Sequence, residues 1–159
     1  MKKADMGLTP KQTEILAEIL EPLLADESVL YLKTRNAHWN IEGADFHTVH
    51  VYFEQLYNEL EAVIDEVAER LRKIEHYAPA TMKDYLRLTH LSEDRSEKND
   101  SLSFMKDLLA DHDAIIMYLR ESIKKIDDEV EVAYGTSDYL TTLMEQHETT
   151  AWMLRSHLK

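Results

Sequence analysis

The sequence predicts an all-α protein: a four-helix bundle with a short helix in the crossover between the second and third long helices. Three observations carry this expectation. Apolar residues recur at helical spacing through four long segments. Only three Gly and three Pro occur in 159 residues, so turns are few and elements long. No stretch shows strand alternation, an internal repeat or low complexity.

The first helix is expected from Pro10 to His38. Thr9 is a suitable N-cap, Pro10 fits the first helical position, and Gln12 completes a capping box. Ile15, Leu16, Ile19, Leu20, Leu23 and Leu24 form its stripe, which Pro22 interrupts with the potential to kink it. Asn40 to Gly43 reads as a loop. A second helix, Asp45 to Lys73, is apolar at Val49, Phe53, Leu56, Leu60, Val63, Ile64, Val67 and Leu71, and the segment His76–Ala80 ends it. Thr81 caps a short helix from Met82 to Leu88, boxed by Asp84. Polar residues 92–99 read as a loop or a frayed helix start. The third long helix spans Ser101 to Asp127 through Phe104, Met105, Leu108, Leu109, Ile115, Ile116 and Leu119. After a charged turn, Thr136 or Ser137 caps a fourth through Leu140, Leu143, Met144, Trp152, Met153 and Leu154. Residues 1–8 are expected to be a short flexible tail and 9–159 one bundle domain.

Composition narrows the functions. Cysteine is absent, which excludes disulfide scaffolds, zinc–thiolate sites, iron–sulfur clusters and thiol nucleophiles. No apolar run suits a membrane span, and the N-terminus lacks the apolar core of a signal peptide, so a cytoplasmic protein is expected. The formal charge of -13 repels nucleic acid and attracts cations, although solubility alone also accounts for it.

The second helix carries the candidate chemistry. With His50 at the origin and about 100° per residue, Glu54 falls near 40°, Asp65 near 60° and Glu69 near 100°, against an apolar centre near 280°. The stripe therefore looks sideways, toward another element or another subunit. Along the axis, His50 and Asp65 lie on two one-turn pairs, His50/Glu54 and Asp65/Glu69. Eleven residues, roughly 16 Å, separate those pairs, too far for one ion with bonds of about 2 Å. Antiparallel copies of the helix across a two-fold axis bring one pair opposite the other and create two identical sites per dimer. His38 adds a second imidazole. Two His and three carboxylates suit iron or manganese, with zinc as a competitor. A solvated face or an ion-pair ladder produces the same stripe. His47, His76, His90, His112, His147 and His157 read as surface or capping histidines, and Trp39 and Trp152 as packing residues. Trp39, Tyr52 and Tyr57 also carry the alternative of standing near a metal site.

The stretch AHWNIEGADFHTVHVYFEQLYNELEAVIDEVAER (37–70) resembles the Dps family, the DNA-binding proteins from starved cells also called miniferritins. APATMKDYL (78–86), HETTAWMLRSHL (147–158) and KTRNAHW extend the likeness over nearly the whole chain. The resemblance implies a ferritin-like bundle, a homododecameric shell of tetrahedral symmetry and a mineral cavity. It also implies ferroxidase centres of two irons, Fe(II) passing to Fe(III), between subunits. Matched residue by residue, His38 and His50 come from one chain and Asp65 and Glu69 from its two-fold mate. Glu54 stands where many members have Asp, and Val51 follows His50 where an acid is frequent. The family typically oxidises Fe(II) preferentially with hydrogen peroxide and stores ferric mineral. Asp127, Asp128, Glu129, Glu131 and Asp138 are candidates for an acidic three-fold pore.

A conventional ferritin would hold its iron within one bundle using Glu-x-x-His motifs, and this chain has none. A nucleoid-associated, DNA-protecting role is the alternative from another class. Here the tail offers only Lys2 and Lys3, with Lys11 at the helix start, and also bears Asp5, so DNA binding is expected to be weak or absent at physiological salt. An inactive helical shell is the remaining alternative.

Overall fold

The computed structural model describes residues 6–159. Its elements are α1 (Pro10–Asn40), α2 (Phe46–Lys73), α3 (Met82–Leu88), α4 (Ser101–Glu129) and α5 (Tyr134–His157). Residues 1–5 of the expected tail lie outside the described residues. Leu8 already packs on the core.

Local sequence accounts for most boundaries. The Thr9–Gln12 capping box forms in both directions. Pro22 leaves the Glu18 carbonyl without its usual helical donor, yet α1 continues through it as one helix. α2 ends at Ile74. The amide of Glu75 then donates to Arg72 and that of His76 to Leu71, with Glu75 at φ 66, a left-handed closure usually given to glycine. The Thr81 hydroxyl accepts the Asp84 amide to start α3, and Asp100 accepts the Ser103 amide to start α4. Gly43 at φ 136 lets the α1–α2 corner turn where a side chain would be strained.

The start of α5 corrects the sequence reading. Neither Thr136 nor Ser137 caps it. The helix begins at Tyr134, three or four residues earlier, with Ala133 at the N-cap and no side-chain cap bond, and Thr136 is buried inside the first turn. α1 and α4 each run two residues beyond their expected ends.

α1 packs along α2 and α4 along α5, while α1 also meets α4 and holds α3 across its side. The core unites Leu16, Leu20, Leu24 and Leu30 of α1, Phe53 and Leu71 of α2, Leu108, Ile115 and Leu119 of α4, and Leu140 and Leu154 of α5. Burying a side chain such as Phe53, fully enclosed here, contributes about 1.5–3 kcal/mol. Trp39 and Trp152 do not pack in this core. They stand 58% and 65% exposed, a second departure from expectation.

Two polar ties fix the crossover. Asp26, 1% exposed on α1, accepts from the Thr89 hydroxyl at 2.7 Å, the His90 amide at 2.6 Å and His90 Nδ1 at 2.9 Å. Lys33 reaches Asp111 at 2.6 Å and the Ser92 carbonyl at 2.9 Å, joining α1, α4 and the loop between α3 and α4. Burial raises the Asp111 carboxyl, and Lys33 opposes the shift. Among the described residues, no helix is long and apolar enough to cross a membrane.

Candidate metal centre

The α1–α2 corner brings His38, in the last turn of α1, against His50, one turn into α2. Their rings stack with centroids 3.8 Å apart and planes at 21°. Each ring is tied to the other residue's backbone: His38 Nδ1 lies 2.8 Å from the His50 carbonyl and His50 Nδ1 2.8 Å from the His38 carbonyl. A carbonyl only accepts, so both Nδ1 atoms carry the hydrogen. In the neutral rings the lone pair then falls on Nε2 of each residue. Two imidazoles are thereby held in the tautomer a metal requires, with ring orientations set by main chain.

Glu54 stands one turn beyond His50, exposed, and its Oε1 accepts from the Tyr57 hydroxyl at 3.3 Å. The Tyr57 ring meets His38 edge-on at 5.1 Å. Burial, with Glu54 adding, pushes the Tyr57 phenol up. The Arg35 guanidinium, which the sequence reading passed over, lies 4.7 Å from the Tyr57 ring and 5.0 Å from that of Trp39, and donates to the Tyr31 hydroxyl at 2.6 Å. Its signal in the sequence was position: Arg35 shares a helix face with Tyr31, His38 and Trp39.

Asp65 and Glu69 lie farther along α2, both exposed, with Glu69 paired to Lys73 at 3.2 Å. Eleven residues of helix still separate them from the His50/Glu54 turn, roughly 16 Å. Within one chain, no three His, Asp or Glu side chains among the described residues converge on a metal-sized point. The stripe thus offers two half-sets of candidate ligands, neither sufficient alone.

The acidic residues at the α4–α5 turn divide. Asp127, Glu131 and Asp138 line a surface hollow of about 520 Å³ together with Ser137 and Thr141. Asp128 is paired with Lys124, and Glu129 ends α4; neither lines the hollow.

Two histidines expected at the surface are in the core. His112 of α4 is 2% exposed and His147 of α5 3%, and they join each other and Glu27 of α1. The legible signal was their place on apolar stripes: Glu27 between Leu23 and Leu30, His112 between Leu108 and Ile115, and His147 between Leu143 and Leu154.

Residues 17–159 match the family model of the ferritin-like domain. An uncharacterized low temperature-induced protein of Nostoc sp. is 35% identical over 159 residues, covering 100% of this chain and 88% of that protein. DNA protection during starvation protein 2 of Bacillus anthracis is 35% identical over 144 residues, covering 89% of this chain and 94% of that protein. The crystal structure of the Dps protein of Vibrio cholerae O1, described as a ferritin-like diiron-carboxylate protein, superposes with a TM-score of 0.91 at 29% identity. It covers 100% of this chain and 99% of that one. The helix order, the short crossover helix and the extent of these likenesses place the chain in the Dps family of the ferritin-like superfamily.

Proposed function

We propose that this chain is the subunit of an iron-oxidising and iron-storing shell. Its reaction is the oxidation of Fe(II), preferentially by hydrogen peroxide, at sites shared between two-fold-related subunits. His38, His50 and Glu54 of one chain and Asp65 and Glu69 of its mate hold two irons per site. Zinc and manganese compete for the same oxygen and nitrogen donors.

The observation that carries this reading is the reciprocal tie between His38 and His50. A stacked pair of imidazoles with both Nδ1 atoms engaged leaves two Nε2 lone pairs and no other task for them. The three carboxylates supply the anionic oxygens that favour the ferric product. Two ferrous ions held together give peroxide both electrons at once: two Fe(II), one hydrogen peroxide and two protons yield two Fe(III) and two waters. No hydroxyl radical is released. On this reading the mineral is housed in a tetrahedral homododecamer in the cytoplasm, and the hollow at Asp127, Glu131 and Asp138 contributes to an inlet whose carboxylates draw Fe(II) inward.

Direct DNA binding is a minor part of this reading. A charge of -13 per chain is multiplied by assembly, as is any weak contact through the tail lysines. A gel-shift series in salt should show no retained complex at physiological ionic strength.

The deciding experiment is an anaerobic titration of Fe(II)-loaded protein with hydrogen peroxide, followed by ferric absorbance. About two irons oxidised per peroxide is the expected endpoint. In the double substitution His50→Ala with Asp65→Ala, oxidation slows to the buffer rate. A wild type no faster than buffer would remove the enzymatic reading.

A further inference from the structure

The core of the bundle contains a titratable chain that the iron chemistry does not use. Glu27 Oε1 lies 2.9 Å from His147 Nε2, and His147 Nδ1 lies 2.8 Å from His112 Nδ1. Glu27 is 0% exposed. Two atoms at the ends of this chain, Glu27 Oε2 and His112 Nε2, are buried without a protein partner. Both histidines border a small cavity of about 30 Å³ with Leu56, Glu59, Gln146 and Thr150, large enough for one water. That cavity adjoins a larger groove between α2 and α5, which shares Glu59, Gln146 and Thr150 with it.

The distances favour a proton over a metal ion. A tetrahedral ion with nitrogen bonds of about 2 Å would hold its two nitrogens roughly 3.3 Å apart, and 2.8 Å is a hydrogen bond. Glu27 also sits on the far nitrogen of His147, so the three groups form a line and not a cage.

Charge decides how many protons the line holds. Among the described residues, the only basic group within ion-pair distance of Glu27 is His147. A bare carboxylate in a dry core is strongly unfavourable, and a proton in the line cancels it. We propose that Glu27, His147 and His112 form a buried proton-binding site that holds one proton per chain at neutral pH. The central hydrogen bond then runs from His147 to His112. With the proton present, His147 Nδ1–H donates to His112 Nδ1, and His112 Nε2–H points its hydrogen at a water in the cavity. Without it, Glu27 must be met by a neutral His147 and the central bond reverses, since His147 Nδ1 then has only a lone pair. Burial and the neighbouring His147 hold His112 well below the usual imidazole range, which keeps the charge on the Glu27 side of the line.

The surroundings are mixed in sign. From α2, Glu59 borders the cavity. The Tyr139 phenol of α5 feels both Glu27 and Glu66, and the Arg70 guanidinium lies 4.9 Å from its ring. From α1 and α4, Lys33 and Asp111 neutralise each other.

The site gives a charge test on the assembled protein. Glu27→Gln removes a carboxylate and, with it, the reason to hold the proton. Its native electrophoretic mobility at pH 7.5 should equal that of the wild type. Exposed Glu145→Gln, as a control, shifts mobility by one charge per chain. A Glu27→Gln shift as large as the control overturns the proposal. Should that variant fail to assemble, magic-angle-spinning NMR of the sedimented wild type with 15N-labelled histidine reads the same site. The expected pattern is a buried pair in which His112 bears hydrogen on Nε2 and none on Nδ1. Hydrogen on His112 Nδ1 with a bare Nε2 refutes it.

Discussion

If the ligands of one site come from two chains, defects in the two half-sites must complement each other. His50→Ala removes an imidazole from one half, and Asp65→Ala removes a carboxylate from the other. The halves sit on one helix roughly 16 Å apart, so neither variant alone can restore a site by a local shift. Each variant assembled by itself carries a defect in every site. Co-assembly at equal amounts makes about half of all two-fold pairs mixed. A mixed pair has one doubly defective site and one intact site, built from the His half of Asp65→Ala and the carboxylate half of His50→Ala. About one quarter of all sites are then whole. Peroxide-driven ferric absorbance should recover to about one quarter of the wild-type rate. Co-assembly of His50→Ala with His38→Ala, both in the same half, serves as the control and should recover nothing. If the two mixtures behave alike, the ligands belong to one chain and the helix geometry has been misread.

Other outcomes follow from the ties that hold the bundle. Asp26→Ala strips the acceptor from the Thr89 hydroxyl and the His90 amide in a buried setting, and should cost about 3 kcal/mol or more in denaturant unfolding. A loss under about 1 kcal/mol would show that the crossover is held by something else. His112 has its imidazole depressed by burial, so the unfolded chain binds a proton there that the folded one refuses. Stability should therefore fall as pH drops below about 6.5, by up to about 1.4 kcal/mol per pH unit for this group. A thermal midpoint that falls less between pH 7 and 5 in His112→Gln than in the wild type is the expected contrast. Asp100 is held low by its bonds to Ser103. Its contribution is present above the ordinary carboxylate range and is lost as pH falls through the depressed value. Hydrogen exchange in the first turn of α4 should differ between wild type and Asp100→Ala at pH 6, and that difference should shrink in acid.

The parts of the fold legible in the sequence were those governed by neighbours along the chain. Thr9 with Gln12, Thr81 with Asp84, and the eight-position stripe of α2 each state a local preference that the tertiary structure does not oppose. The start of α5 was not legible because its first turn lacks a side-chain cap. Burial of Val130, Ala133 and Thr136 fixes the chain there, and that depends on partners distant in sequence. The same distinction governs the candidate centre. The angular positions of His50, Glu54, Asp65 and Glu69 follow from counting residues. The stacking of His38 on His50 requires knowing how α1 and α2 meet. The Glu27–His147–His112 line escaped because the two histidines were weighed alone and Glu27 was passed over, although each interrupts an apolar stripe at a position where a core residue belongs.

The separation of the two half-sets along α2 has a consequence for timing. On the proposed reading, a lone chain, freshly made, presents donors too far apart to close around a pair of ions, and oxidises no iron at that site. Competence on that reading arises only when a second copy arrives, and rises with the square of subunit concentration while pairs are scarce. A protein that makes insoluble product gains from such a delay: oxidation does not begin on isolated chains, before assembly of the container is under way.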